Sequence, residues 1–539
     1  MKTKTNADKR HYTLKAEYDS MKQERQPYLD KAREAAKYTI PSLFPDEDSH
    51  KFKNIKKIKT PNQSVGADGI NNLAAKVALT MLPPNQTFFK FEIDDMTVKQ
   101  QAGSNSSQYK LDINKGLSKV EKLLLDYQEQ KNDRVCFGES LKHLYVAGNV
   151  FLLHEQEDGM RYYPLNRFCV KRDYSGNVLK AITEETIGFY SLPLEVQEKL
   201  KLQLIEKQGE KYDEKKIEEK EYTLYTAFKR KQKKWEIYQE VEGIELPDSR
   251  GSYPIEIPPF TALRFTRIDG ESYGRGLIEE YIGDISYLDI LSLAIKETAL
   301  AASKLLMLVN PNGMTKIKHL SETKNGGFAL GRIEDVQPLQ ANKYYDLRVA
   351  QEECDKIERR LNRIFVMKAA IQRDAERVTA EEIRTMVQDL EEALGNHYSI
   401  MAKEFQLYYV KITFFHLQKE KRNMLPDLIR DKNIKLKVTT GLEALGRGSD
   451  LNKLITFLDI MGRIAPAVQQ LGGKVEKIAN DVATSLNLDI EGMFMTEEEK
   501  AQMADEANRQ ALMMKAAPNV VNKYGDMMLQ QQNSQPQEL

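Results

Sequence analysis

The sequence predicts an α+β protein that is mainly helical. Three observations point there. Segments with helical periodicity, bounded by caps and prolines, fill most of the 539 residues. One block, residues 149–267, instead carries short segments rich in β-branched and aromatic residues. Two long helical patterns, 277–303 and 346–367, bracket a second, smaller β insertion.

In chain order, the first helix is expected over Ala7 to Thr39, ended by Pro41 and Pro45. A second is expected over Asn62 to Leu82, with Thr60 as cap and Pro61 at the first helical position; Pro83 and Pro84 close it. FFKFEI, Phe88 to Ile93, reads as a strand. Gln100 to Gln108, rich in Ser, Asn and Gln, reads as a loop. Helices follow at Asp112–Gln130 and Arg134–Val146. The β block is read from NVFLLHEQ, RFCVKRDY, NVLKAITEETI, EYTLYTAFKR and KWEIYQEVEG, with turn signals such as Ser175-Gly176-Asn177, and an antiparallel arrangement is expected. The charge-dense stretch Glu195 to Glu221 reads as an exposed helix or insertion.

The pattern from Leu277 to Ser303 spans about 40 Å as a helix. It is apolar on more than one face, so it should be buried between neighbours. LLMLV (Leu305 to Val309), the turn Asn310-Pro311-Asn312-Gly313 and two Gly-punctuated β segments follow, ending near Asp346. The next helix, to about Met367, has an apolar seam of Leu347, Ala350, Cys354, Ile357, Leu361 and Ile364. Its heptad spacing fits packing within the chain or within a ring of identical subunits. Thr379 and Glu382 make a capping box, so a further helix begins near Ala380; it continues past Gly395, with a kink there, towards Gln418. Residues 368–378 then form a connector carrying Lys368, Arg373 and Arg377 against Asp374 and Glu376. Helices are expected again at Asp450–Val468, Lys474–Ser485 and Glu497–Met514, the last capped by Thr496 and Glu499. The Gln/Asn/Met-rich end, 517–539, reads as a disordered tail.

Composition narrows the function. Lys+Arg and Asp+Glu both number 80, so the formal net charge is zero. A protein that grips nucleic acid needs uncompensated cations to displace phosphate counterions. Cys136, Cys169 and Cys354 are far apart in sequence, which argues against a disulfide framework or zinc knuckle and fits a reducing compartment. The polar start predicts no secretory signal. The most apolar window, Leu291 to Val309, contains Lys296, Glu297 and Lys304, so no membrane span is expected.

One enzymatic motif is present. Gly270-Glu271-Ser272-Tyr273-Gly274 fits the G-x-S-x-G nucleophile elbow, with a strand-like segment before it and a helix after it. A serine hydrolase using Ser272 also needs parallel strands and then an acid and a His in order. His319, His397 and His416 follow, none in a recognisable post-strand loop. The plainer reading is a Gly-flanked strand-to-helix turn. No phosphate-binding glycine loop occurs: Gly472-Gly473-Lys474 continues into Val475, and Gly274-Arg275-Gly276 lacks a third Gly. His154-Glu155 lacks the second His of a zincin. Asp46, Glu47 and Asp48 near Lys51 read as a solvated loop rather than nuclease carboxylates. No catalytic, cofactor or metal residues are assigned.

Five segments carry a resemblance. They are TPNQSVGADGINNLAAKVALTMLPPNQTFF (60–89), RIDGESYGRGLIEEYIGDISYL (267–288), LVNPNGMT (308–315), ERVTAEEIR (376–384) and TGLEALGRGSDLNKL (440–454). In order and content the chain resembles the portal, or head-to-tail connector, proteins of short-tailed, podovirus-type bacteriophages. The G-x-S-x-G match lies inside one of these segments.

The resemblance implies a portal fold assembled as a ring, usually a dodecamer, at one capsid vertex. Double-stranded DNA would be packaged and ejected through its channel. It implies a wing over 1–272, stem helices at 273–303 and 346–367 and a clip at 304–345. A tunnel loop at 368–378, a long helix with wing continuation at 379–439 and a crown at 440–516 complete the chain. Lys368, Arg373 and Arg377 become candidates for facing the DNA. Implied partners are the terminase large subunit, major capsid and scaffold proteins, and tail adaptors, with assembly in the host cytoplasm and no membrane. The resemblance implies no enzymatic activity. The alternatives are the Ser272 hydrolase and a virion interaction protein that forms no channel.

Overall fold

The computed structural model describes residues 13–45, 58–84, 87–93, 106–208, 217–303, 307–316, 318, 322–323, 327–328, 330–338, 344–367, 380–420, 436–440, 455, 457–464, 478 and 482. The chain divides into two units, residues 1–94 with 114–446, and 95–113 with 447–539. In the second unit the described residues are helical throughout, 457–464 within the expected helix Asp450–Val468. The expected helix Glu497–Met514, its cap and the tail lie outside the described residues.

The first unit begins with α1 (Leu14–Lys37), capped by the Thr13 hydroxyl accepting from Ala16 N. Its buried face, Leu14, Tyr18, Leu29, Ala32, Ala35 and Ala36, follows helical spacing. Next is α2 (Val65–Met81), which starts later than Pro61. The preceding backbone is held otherwise: Asn62 N donates to Asp289, and Gln63 bridges the Tyr38 carbonyl and Gly66 N. These tertiary bonds win over the capping pattern of Thr60-Pro61. Then come β1 (Phe89–Ile93), α3 (Ser106–Gln130) and α4 (Asp133–Ala147). α3 begins inside the stretch read as a loop, because polar Ser and Gln are tolerated in a helix whose later turns pack. Most of α4 is buried, including Phe137, Leu141, Leu144 and Tyr145, and it lies against α1, α2 and the sheet that follows.

The β block holds β2 (Asn149–Glu155), β3 (Gly159–Pro164), β4 (Phe168–Arg172) and β5 (Val178–Gly188), then α5 (Leu194–Gln208). After α5 come β6 (Glu221–Lys231), β7 (Lys234–Val241), β8 (Ile244–Glu245), β9 (Gly251–Pro254) and β10 (Phe260–Arg264). It forms two antiparallel sheets. One has the order β10-β2-β3; the other has β4-β5-β6-β7-β8, with β9 also on β7. Alternation along β6 explains how the larger sheet is covered on both faces. Tyr222 and Leu224 point into a core with Val196 and Leu200 of α5, while Tyr225 and Ala227 meet Leu14 and Tyr18 of α1. The charged stretch 195–221 is thus partly core, since Val196, Leu200 and Ile217 are buried. Phe228 joins the sheets by contacting Phe151 and Phe260.

The remaining elements are α6 (Leu277–Ser303), β11 (Met307–Val309), β12 (Val336–Pro338), α7 (Tyr344–Ile364), α8 (Ala380–Leu394), α9 (Asn396–Met401), α10 (Leu407–Glu420) and β13 (Leu436–Thr440). Gly395 breaks the long helix with φ +56°. A π turn over Ala402–Gln406 breaks it again, a feature with no signal in the sequence pattern. The turn seats Phe405 on Phe137 at 3.9 Å between ring centres, and Gln406 Nε2 donates to the Met81 carbonyl. β13 was not among the sequence expectations. It pairs antiparallel with β1, from Phe89 against Thr440 to Ile93 against Leu436.

Candidate channel elements and the loop between them

α6 and α7 pack against each other, and Ile278, Ile285 and Leu288 of α6 and Cys354, Ile357 and Leu361 of α7 are buried. The heptad seam of α7 is therefore satisfied, over its described middle, by packing within the chain. Arg360 lies 3.6 Å from Asp284 across the pair. Within one chain α6 is buried at Ile278, Ile285 and Leu288 and largely open beyond them. Ile290, Leu293 and Leu300 are exposed, as is Val349 on α7. α6 carries Glu279, Glu280, Asp284, Asp289 and Glu297 against Lys296 alone, whereas α7 is charge-balanced.

The end of α7 is fixed on α2. Phe365 packs so closely on Gly69 that a Cβ there would sit 2.3 Å from its ring. Asn72 Nδ2 donates to the Phe365 carbonyl at 3.1 Å, and Lys76 Nζ to the Val366 carbonyl at 2.7 Å. These two side chains satisfy carbonyls that a helix end leaves free, and the Lys76 charge suits the negative end of the helix. Val366 takes φ +51°, turning the chain away. Residues 368–378 thus leave from one element packed on α2 and return into α8, which also packs on α2. Lys368, Arg373 and Arg377 lie outside the described residues. Sequence reading did not single out Asn72 or Lys76, which lie one turn apart on a helix that also carries Asp68, Asn71 and Thr80.

At the far end of the hairpin, β11 and β12 make a three-pair antiparallel ribbon. Asp335 is buried and organises the turn beside it. Its carboxylate accepts from Thr315 Oγ1 at 2.9 Å and Thr315 N at 3.2 Å, and its carbonyl accepts from Asn310 N. Thr315 Oγ1 in turn accepts from Arg332 N at 3.0 Å. Cβ atoms at Gly313 and Gly331 would collide with Asp335 and Thr315.

The turn 270–276 explains the G-x-S-x-G match. Asn149 accepts from Gly274 N at 2.7 Å and donates to the Gly274 carbonyl at 2.8 Å. A Cβ at Gly276 would lie 2.6 Å from the Val146 carbonyl, and one at Gly148 (φ +72°) 2.3 Å from the Arg275 carbonyl carbon. Tyr273 is buried, accepts from Val170 N, and has its phenol pushed upward by that burial. Ser272 gives its carbonyl to Arg172 Nε at 2.9 Å. The four described histidines have other neighbours: His397 stacks on Phe265, His154 meets Thr261 Oγ1 at 3.0 Å, His143 packs on Phe44, and His416 is buried near Tyr253 and Phe415. The glycines serve backbone-on-backbone packing where α4, β2 and α6 converge. Among the described residues no group of His, Cys, Asp and Glu is arranged to hold a metal, and no helix is long and apolar enough to cross a membrane.

The described chain is thus α+β, with a long helical hairpin that carries a short ribbon at its tip and is fixed on α2 at its base. Residues 11–491 match the family described as bacteriophage head to tail connecting protein, and the chain belongs to that family. It is 38% identical to the portal protein of Escherichia phage T7 over 495 residues, covering 90% of this chain and 89% of that one. It is 38% identical to the portal protein of Enterobacteria phage T3 over 509 residues, covering 93% and 90%. The portal protein of Enterobacteria phage SP6 is 27% identical over 515 residues, covering 94% and 96%.

Proposed function

We propose that the chain is the portal subunit of a short-tailed phage. It forms the channel at the head-to-tail junction through which double-stranded DNA is packaged and later ejected. The observation that carries this is the likeness to portal proteins along about nine-tenths of both chains. The proposal extends to a ring of identical subunits, twelve in number. In it α6 and α7 act as the stem and the β11–β12 region as the clip, with residues 1–272 as the wing, 440–516 as the crown and 368–378 as the tunnel loop. The terminase large subunit would dock on the clip during packaging and tail adaptors afterwards, with capsid and scaffold proteins around the wing and assembly in the host cytoplasm.

The chain's task is mechanical. DNA must slide, and each phosphate that a wall neutralises adds to affinity and slows passage. A chain with zero net charge and an acidic α6 suits a wall that does not hold DNA. No covalent step is assigned, and the packing role of the turn at Ser272 removes the reason to assign one. Negative-stain microscopy of the purified full-length protein tests the reading. Rings with a central hole are expected; a monomer or small oligomer at micromolar concentration would overturn it.

A further inference from the structure

Two guanidiniums come together where the β block leads into α6. Arg172 ends β4 and Arg264 ends β10. They rest on consecutive carbonyls of the turn before α6: Arg172 Nε donates to Ser272 at 2.9 Å and Arg264 Nη1 to Glu271 at 2.9 Å. Both also reach Gly176. Arg172 Nη1 donates to its carbonyl at 2.9 Å, and a Cβ there would lie 2.7 Å from Arg264 Nη2. Arg172 Nη2 donates to the Ala262 carbonyl at 2.9 Å. Arg264 is only 5% exposed. No carboxylate bonds to either guanidinium among the described residues, and the acids nearby are engaged elsewhere. Asp173 accepts from Asn177 N at 2.8 Å and Asn177 Nδ2 at 3.1 Å, Glu271 accepts from Arg275 Nη2 at 2.9 Å, and Glu404 pairs with Arg267.

We propose that Arg172 and Arg264 hold a small phosphate-class oxyanion, which supplies the counter-charge that no side chain provides. Like charges withdrawn from water side by side are costly unless an anion faces them. The carbonyls take some of the N–H groups of each fork but carry no net charge, and N–H groups remain on both without an acceptor among the described residues. Burial lowers both guanidiniums from their ordinary range; Arg264 and Arg267 lower Arg172 further, with Tyr273 and Asp173 opposing, and Arg267 lowers Arg264. Paired planar forks match the oxygens of a phosphate. The burial of Arg264 favours a small free ion over the backbone of a duplex, whose bulk stays at the surface. Bound there, the ion would tie the turn at 173–177 to the turn at 270–276 and so fix the entry into α6.

Equilibrium dialysis of the full-length protein against radiolabelled inorganic phosphate, in chloride at fixed ionic strength, tests this. Uptake by the unmodified chain should saturate at about one phosphate per subunit. Arg264→Lys keeps the charge but loses the fork, and should weaken binding about tenfold with an unchanged circular dichroism spectrum. Arg250→Gln, at a surface arginine paired with Glu245, should bind like the unmodified chain. A short double-stranded oligonucleotide should not displace the label. Uptake by the unmodified chain that never saturates, or an equal loss in Arg250→Gln, would mean an adventitious ion only and would overturn the proposal. Unchanged affinity in folded Arg264→Lys and Arg172→Gln would overturn it too, by placing the phosphate elsewhere. Displacement by the oligonucleotide would overturn it in favour of nucleic acid. The result with the unmodified chain stands whether or not a variant folds.

Discussion

At Gly276 and Gly148 a single hydrogen in place of a methyl decides whether three elements can meet. Gly276→Ala should cost about 1–3 kcal/mol, because the Val146 carbonyl it meets is backbone and cannot move aside. Ser272→Ala, one turn away, should leave stability and DNA packaging unchanged. Denaturant midpoints and the yield of filled heads separate the two. Histidines give a second prediction at this scale. Burial lowers His143 to about 4 and His416 to about 4; burial and the neighbouring His416 lower His154 to about 3. Between pH 6.5 and 4 the unfolded chain therefore binds more protons than the folded one. Stability is full above about pH 6.5 and is lost as pH falls towards 4. His143→Leu should flatten that slope by roughly one proton, read from denaturant midpoints across the range.

Among the elements, the α6–α7 pair forms the long hairpin, and its seam is the place to weaken it. Leu361 is fully buried between α7 and its neighbours. Leu361→Ala should cost about 2–5 kcal/mol, measured by thermal unfolding of the subunit. Most of this pair was legible in advance. Leu277–Ser303 matches its expected span, and Cys354, Ile357 and Leu361 fall on the seam. What was not legible depends on distant partners. The start of α2 moved because Asp289 and Tyr38 hold the residues before it. The π turn at 402–406 exists to place Phe405 on Phe137, which no local pattern encodes. β13 did have a signal, the alternation of Ile434, Leu436 and Val438, but its partner β1 lies at the other end of the chain. The G-x-S-x-G match is the Gly-flanked strand-to-helix turn of its plainer reading. Glycines needed for close packing happened to take the spacing of a nucleophile elbow.

For the whole molecule, placement of charge matters more than its sum. A balanced chain can still present cations locally, and residues 368–378, which link two helices that both pack on α2, are the segment proposed above to face DNA. Replacing Lys368, Arg373 and Arg377 together by Glu should reduce DNA retention in filled heads several-fold, with ring formation unchanged. Equal retention by the triple variant, measured by nuclease protection of packaged DNA, would show that these side chains do not meet DNA.

The pairing of β1 with β13 has a consequence for biosynthesis. Phe89 and Phe91 are buried in the finished fold, yet the strand that completes their sheet is made about 350 residues later. At roughly 5–20 residues per second, a ribosome needs on the order of 20–70 s to cover that interval. Throughout it the nascent chain has an aromatic strand whose edge lacks its partner. Release of the chain before translation passes Thr440 should therefore favour aggregation over the finished fold.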